Sequence, residues 1–253
     1  TNEHWLDIDF FRIPPNDYLQ EIIAENEGDP AYDGMTVSKL YTRKALRVFE
    51  AMTDVFEQRG QEHRLRRVLS GHSTDAAVLE ECAAEAAYLG KLHLVDALGV
   101  APYFRNDPDD DHFTPVLDDG WEAIFESVHR TVKEKFDPNH KSGKEMHANA
   151  AVAQKYGKAF VCYEGGQHYT TWTGTPGPII PKLNRRPEMY GVYREYLKNW
   201  QELPNAATMT HFMLCSLYDE NEAFGLREYY NQPMEELHKL RAVLDWEREY
   251  AGE

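Results

Sequence analysis

Apolar positions along the chain follow two different periods that alternate from one end to the other. Segments with apolar residues every three or four positions predict helices, and shorter continuous apolar runs predict buried strands. The predicted helices cover residues 36–59, 76–90, 121–136, 144–156, 188–200 and 234–249. The predicted strands cover residues 65–69, 95–104, 159–164 and 207–218, and one more ends at Asn2-Glu3. Strands that alternate with helices of about ten or more residues indicate βαβ units, so the expected fold class is α/β with a parallel sheet.

Polar, aromatic and glycine residues gather directly after the predicted strands. The four groups are Gly71-His72-Ser73, Pro102-Tyr103-Phe104, 164–168 (EGGQH) and 218–221 (YDEN). Ligands of parallel α/β folds bind outside the carboxyl ends of the strands. The sequence therefore predicts a ligand site at that end of the sheet.

Charge and composition narrow the classes of partner. The chain has 253 residues, with 27 Lys and Arg against 43 Asp and Glu, and a formal net charge of −16. Such an acidic surface is not expected to bind nucleic acid, and it favours a neutral or cationic ligand. No apolar run approaches the ~20 residues that span a bilayer, so no membrane partner is expected. Three cysteines (Cys82, Cys162 and Cys215) do not make a disulfide framework and are expected to be buried free thiols.

A carboxylate at the end of one apolar strand is the strongest candidate for chemistry. Side chains alternate along a strand, so Phe160, Cys162 and Glu164 are expected to share one face. Gly165 and Gly166 follow, and they would leave room for backbone or ligand to approach the carboxylate. A second carboxylate about 5–5.5 Å away would complete the pair that a retaining glycosidase uses. A structural or salt-bridging role for Glu164 is the alternative.

Five segments carry a resemblance to a known family. They are Asn2-Glu3 followed by Trp5, then LRRVLSGHS (65–73), VDALGVAPYF (95–104), VCYEGGQH (161–168) and THFMLCSLYDENEAFGLREYYNQP (210–233). Together they resemble the C-terminal portion of glycoside hydrolases of clan A, the retaining (β/α)8 enzymes, in a cellulase-like branch with a YEGGQH motif. The resemblance covers nearly all 253 residues. It implies a TIM-type barrel of which this chain supplies about strands four to eight, as a single catalytic domain over residues 1–253.

The resemblance implies a role for each matching residue. Glu3 would be the general acid/base and Glu164 the nucleophile, while Asn2 would bind the sugar 2-hydroxyl. Tyr103 would hydrogen-bond the nucleophile or the sugar and help keep Glu164 ionised. The substrate would be a polysaccharide or oligosaccharide, no metal or organic cofactor would be needed, and an extracellular or periplasmic location is expected. The further candidate substrate-binding residues are Trp5, His72, Gln167, His168, Trp172 and Tyr218.

Some positions depart from the family pattern or have two interpretations. Residue 72 is His where the branch often has Gln, and Tyr218 and Phe224 stand where Trp is usual. His72 and His168 are either sugar contacts or polar loop residues bonded to backbone. Trp5 and Trp172 either stack on a pyranose ring or anchor their loops.

Two other functions are compatible with the same scaffold. One is a non-catalytic carbohydrate-binding or structural protein, and the other is a polysaccharide lyase, which the acidic net charge disfavours.

The resemblance identifies the five predicted strands with strands four to eight of the barrel. The chain is therefore expected to be the C-terminal part of a longer polypeptide, or to be completed by the missing N-terminal half of the barrel from another chain.

Overall fold

The computed structural model describes residues 34–105 and 120–250, together with the isolated positions 24 and 28. The described strands are β1 (Val68–Ser70), β2 (Ala97–Val100), β3 (Ala159–Cys162) and β4 (Ala206–Met209). The described helices are α1 (Val37–Glu57), α2 (Ala76–Tyr88), α3 (Trp121–Phe136), α4 (Lys141–Lys155), α5 (Ile180–Asn184), α6 (Met189–Gln201) and α7 (His238–Tyr250).

The four strands form one parallel sheet, and helices separate each strand from the next along the chain. The sheet order β1-β2-β3-β4 follows the chain order. In the register of β1 with β2, Val68 lies opposite Ala97 and Ser70 opposite Gly99. The prediction of an α/β fold with a parallel sheet is therefore confirmed. The predicted strand that ends at Asn2-Glu3 lies outside the described residues.

The described residues divide into two compact units. Unit 1 contains residues 34–100 and 148–161, and unit 2 contains residues 101–105, 120–147 and 162–250. In unit 1, α1 packs against α2, and its Tyr41 hydroxyl accepts a hydrogen bond from the Ser70 backbone at 3.2 Å. The α2 helix begins after Asp75, whose carboxylate caps the Ala77 amide at 3.0 Å.

Unit 2 is organised around α6, which packs against both α3 and α7. The buried face of α6 carries large aromatic side chains, among them Tyr193, Tyr196 and Trp200. These residues are three and four positions apart, which places them on one face of the helix. This face lies against Phe104, which belongs to the segment that follows β2 and is 1% exposed. The α6 helix therefore packs against the segment that follows β2.

All four described strands are shorter than predicted, and the largest errors are in β4 and β2. The strand predicted over 207–218 is only β4, because residues beyond it fold back on a later segment: the Leu226 amide donates to Met213 and the Ser216 amide donates to Arg227. The expectation that all three cysteines are buried is wrong for the same reason, since Cys215 lies on this exposed loop. The strand predicted over 95–104 is also shorter and ends at Val100.

One helix lies where the sequence predicted only a loop. The α5 helix interrupts the segment between residues 166 and 187, and its Ile180 and Leu183 are fully buried. A single helical turn offers too few apolar positions to show a period. In the described part of the chain, no helix combines the length and apolar character that crossing a bilayer requires.

Candidate active site

Three segments that follow β2, β3 and β4 carry the candidate chemistry, and all three belong to unit 2. Tyr103 comes after β2, Glu164 after β3 and Phe212 after β4. Backbone hydrogen bonds join the first two segments: the Phe104 amide donates to Gly166 at 3.1 Å, and the His168 amide donates to Phe104 at 2.8 Å. The Phe212 amide donates to Gly165 at 3.1 Å and joins the third. The polar residues after the strands are therefore brought together in space.

Glu164 is hydrogen-bonded to the hydroxyl of Tyr103. The Glu164 side chain is partly exposed and lies in a bend two residues beyond the end of β3. Burial of the Tyr103 phenol, together with the negative charge of Glu164, raises the pKa of Tyr103. The phenol therefore stays protonated and donates to the carboxylate. The resemblance implied either the nucleophile or the sugar as the hydrogen-bond partner of Tyr103, and in the structure its partner is Glu164.

Tyr103 also belongs to an aromatic cluster, which consists of Tyr103, His168, Trp172, Phe212 and Phe224. His168 lies at its centre, with ring centroids 5.1 Å from Tyr103 and 5.4 Å from Phe224. Phe212 packs edge-on against Phe224 at 5.2 Å, and Trp172 lies 6.4 Å from Phe224. Trp172 is 50% exposed and Phe212 is 41% exposed. Solvent-facing aromatic rings beside a carboxylate fit a ligand with apolar faces and hydroxyl groups.

His168 is uncharged at neutral pH. Burial lowers its pKa from 6.5 to about 4, with a further contribution from the positive charge of Arg105. A neutral imidazole offers one donor and one acceptor nitrogen, which suits hydroxyl groups. The carbonyl of His168 accepts a hydrogen bond from the Thr173 hydroxyl at 3.0 Å, and this bond helps to place the short turn that carries Trp172.

Protein side chains occupy the space beside Gly165 and Gly166. A Cβ atom at Gly165 would lie 2.6 Å from the Tyr196 hydroxyl and 2.9 Å from the Cys162 sulfur. Gly166 has φ of +128°, and its Cβ would lie 3.1 Å from the Tyr193 hydroxyl. The sequence-based expectation was that these glycines leave room for backbone or ligand. The space that they leave is filled instead by tyrosine hydroxyls and a sulfur atom.

Cys162 lies beneath this turn and is 1% exposed. Its thiol donates to the carbonyl of Thr210 at 3.3 Å, and burial raises its pKa. A thiol held protonated in this way is inert as a nucleophile. The prediction that Cys162 shares the buried face with Phe160 is confirmed, since Phe160 is fully buried.

The other predicted site residues lie in different surroundings. Gln167 is 1% exposed, and its side-chain amide donates to the Ala223 carbonyl at 2.8 Å. Tyr218 is also buried, and its hydroxyl donates to the Gly225 carbonyl at 2.7 Å. His72 belongs to unit 1, where its carbonyl accepts a hydrogen bond from the Asn149 side chain at 3.0 Å. Asn2, Glu3 and Trp5 lie outside the described residues.

Three residues of the site neighbourhood had no role in the sequence-based prediction. Phe212 and His211 lie within the strand that was predicted over residues 207–218. The observed strand ends at Met209, so both residues belong to the segment that follows the sheet. Both ring nitrogens of His211 are buried, and neither has a hydrogen-bond partner among the described residues. Tyr196 was assigned to the apolar stripe of its helix, and its hydroxyl gives no separate signal in the sequence.

Within the described residues, no group of three or more His, Cys, Asp or Glu side chains is arranged to hold a metal ion. Comparisons with known proteins give no further guide: no family model, no curated protein and no solved structure matches the chain. Among the described residues, the candidate chemistry of the site lies in Glu164, Tyr103 and the aromatic cluster.

Proposed function

We propose that this chain is a retaining glycoside hydrolase that cleaves a polysaccharide or oligosaccharide with two glutamates. The observation that carries the proposal is the Glu164 carboxylate, held by the Tyr103 hydroxyl and bordered by the aromatic cluster. A protonated phenol that donates a hydrogen bond to a carboxylate favours its ionised form and fixes its orientation. The exposed rings of Trp172 and Phe212 offer apolar faces on which a pyranose can stack.

The proposed reaction has two steps. Glu164 attacks the anomeric carbon, while Glu3 gives its proton to the departing glycosidic oxygen. Glu3 then takes a proton from a water molecule, whose oxygen displaces Glu164 from the anomeric carbon. Two inversions at one carbon give net retention of configuration. Asn2 would bind the 2-hydroxyl group, and neither step needs a metal or an organic cofactor.

The proposal extends to the fold. We propose that β1 to β4 are strands five to eight of a (β/α)8-type barrel, with the strand that ends at Asn2-Glu3 as strand four. The sheet order, which follows the chain order, and the helix between successive strands support this assignment. In such barrels the active site lies at the carboxyl ends of the strands, which is where Tyr103 and Glu164 are found.

Two alanine variants test the two glutamates separately. The full chain is assayed against a panel of dinitrophenyl glycosides and soluble polysaccharides. We expect Glu164→Ala to lower kcat by at least roughly 10³-fold, because the first covalent bond no longer forms. Azide should fill the vacated space and restore turnover, with a glycosyl azide of inverted configuration as the product.

Glu3→Ala should give the opposite stereochemistry. Dinitrophenolate leaves without protonation, so the first step still proceeds, and azide should then yield a glycosyl azide of retained configuration. Glu202→Ala is the matched control, because this carboxylate is exposed at the end of α6, and wild-type rates are expected.

Two results would contradict the proposal. Wild-type rates in Glu164→Ala would exclude this residue as the nucleophile. If the wild-type chain hydrolyses none of the panel, yet sugars change its tryptophan fluorescence and Trp172→Phe abolishes that change, the result favours a carbohydrate-binding protein over a hydrolase.

A further inference from the structure

The hydroxyl of Tyr196 connects the segments that carry the two members of the Tyr103–Glu164 pair. It accepts a hydrogen bond from the Gly166 amide at 3.2 Å and donates one to the Pro102 carbonyl at 3.0 Å. Pro102 directly precedes Tyr103, and Gly166 is two residues beyond Glu164. One oxygen atom on α6 therefore sets the spacing between the backbone on either side of the pair.

The Tyr196 side chain is itself rigidly held. It is fully buried, and its ring lies 4.9 Å from the ring of Phe104 and 5.8 Å from that of Phe136. Its hydroxyl would also lie only 2.6 Å from a Cβ atom on Gly165, so the turn after Glu164 packs directly against this oxygen. Burial raises the pKa of Tyr196 well above 10, so the phenol keeps the proton that it donates to Pro102.

Other hydrogen bonds also join the same two segments. The Phe104 amide donates to Gly166, and the His168 amide donates to Phe104. These backbone bonds remain when the Tyr196 hydroxyl is removed, so its loss should leave the fold in place. What changes is the distance and the angle between the two segments, and with them the hydrogen bond from Tyr103 to Glu164.

We propose that Tyr196 is a positioning residue that holds Tyr103 and Glu164 in register through the backbone at Pro102 and Gly166. The proposal rests on the proposed function of Glu164 as the nucleophile. Tyr196 touches neither the sugar nor the reacting atoms. A small displacement of a nucleophile lowers the rate of the chemical step much more than it lowers binding. The expected signature is therefore a loss in kcat with little change in KM.

Tyr196→Phe removes only the hydroxyl, and Tyr169→Phe is the matched control. Tyr169 is also fully buried in unit 2, but its hydroxyl bonds to the Thr131 hydroxyl of α3 at 2.6 Å. Both variants lose one buried phenolic hydrogen-bonding group, so a general loss of stability should affect them alike. We expect Tyr196→Phe to lower kcat about tenfold with KM within about twofold of wild type, and Tyr169→Phe to keep the wild-type kcat.

Hydrogen exchange at the Gly166 amide provides a readout that does not depend on activity. In the wild-type chain this amide should be protected, and Tyr196→Phe should increase its exchange rate while Tyr169→Phe leaves it unchanged. Wild-type kcat together with wild-type exchange in Tyr196→Phe would overturn the proposal. A kcat loss of equal size in both variants would overturn it as well, because it would point to general destabilisation.

The two proposals fail in different ways. If the wild-type chain turns over no glycoside, the hydrolase function is wrong, and the exchange comparison still decides whether Tyr196 holds the two segments. If Glu164→Ala behaves as a nucleophile variant but Tyr196→Phe behaves as wild type, only the positioning role is wrong. Should Tyr196→Phe not fold, exchange in the wild type decides, because an unprotected Gly166 amide would contradict the hydrogen bond.

Discussion

His211 follows β4 and stacks on the ring of Tyr193, with the ring centroids 5.7 Å apart. Both of its ring nitrogens are buried, and neither has a hydrogen-bond partner among the described residues. Burial, together with the positive charge of Lys239, lowers the pKa of His211 from 6.5 to about 4. In the unfolded chain no such burial exists. His211 should therefore make the stability of the protein depend on pH.

The direction of this pH dependence follows from which state, folded or unfolded, binds the proton at the higher pH. Well above pH 6.5, His211 is neutral in both states and contributes no pH dependence. As the pH falls below 6.5, the unfolded chain binds a proton that the folded chain accepts only near pH 4. The free energy of unfolding then falls by about 1.36 kcal/mol per pH unit, which amounts to about 3 kcal/mol across the whole window. The free energy of unfolding of a typical protein is about 5–15 kcal/mol, so this loss is large.

His211→Phe isolates this contribution, because phenylalanine keeps the stacking on Tyr193 and does not titrate. We expect the free energy of unfolding, measured with urea between about pH 7 and about pH 4.5, to fall by about 2–3 kcal/mol less in the variant than in the wild type. His63→Gln is the control, since His63 is exposed on the turn before β1, and its profile should follow that of the wild type. Parallel profiles for the wild type and His211→Phe would refute the reasoning.

Two further substitutions test the packing and the hydrogen bond at the site. Gly165→Ala should lower the free energy of unfolding by about 1–3 kcal/mol, because its Cβ would overlap the Tyr196 hydroxyl. Gly191→Ala in α6 should instead be neutral or stabilising, since its Cβ would meet only an ordinary contact at 3.9 Å; equal effects on urea unfolding would contradict the packing argument. Tyr103→Phe should lower kcat/KM on the best glycoside about tenfold to hundredfold and move the acidic limb of the pH–rate profile upward, because a carboxylate that loses a donor is protonated more easily. An unchanged profile would show that Tyr103 does not support Glu164.

The long helices were predictable because their apolar stripes are long. The α3 helix has the predicted bounds, and its stripe contains Ile124, Phe125 and Val128, all of which are buried. Over more than four turns such a stripe has no strand-like alternative. The class of sheet followed from the same pattern, because parallel strands need crossover connections of about a dozen or more residues, and these helices supply them.

The strand ends could not be predicted in the same way. Apolar residues continue past both β2 and β4, and a hydropathy pattern does not distinguish a buried strand from an apolar segment that leaves the sheet. Phe212, Met213 and Leu214 read as strand core, yet all three are exposed. The reason is a contact distant in sequence: the Leu226 amide bonds to Met213 and turns the chain away from the sheet.

In the candidate site, too, the sequence predicts which segments meet but not which contacts a single atom makes. Glu164 and Tyr103 could be predicted because each follows a strand, and ends of parallel strands meet. Tyr196 acts from the buried face of a helix, where the sequence predicts only packing. A tyrosine that fills the core and a tyrosine whose hydroxyl joins two active-site segments have the same helical spacing and the same burial. Only the 3.2 Å and 3.0 Å contacts to Gly166 and Pro102 separate the two roles, so removal of that single oxygen is the experiment that the sequence alone could not have suggested.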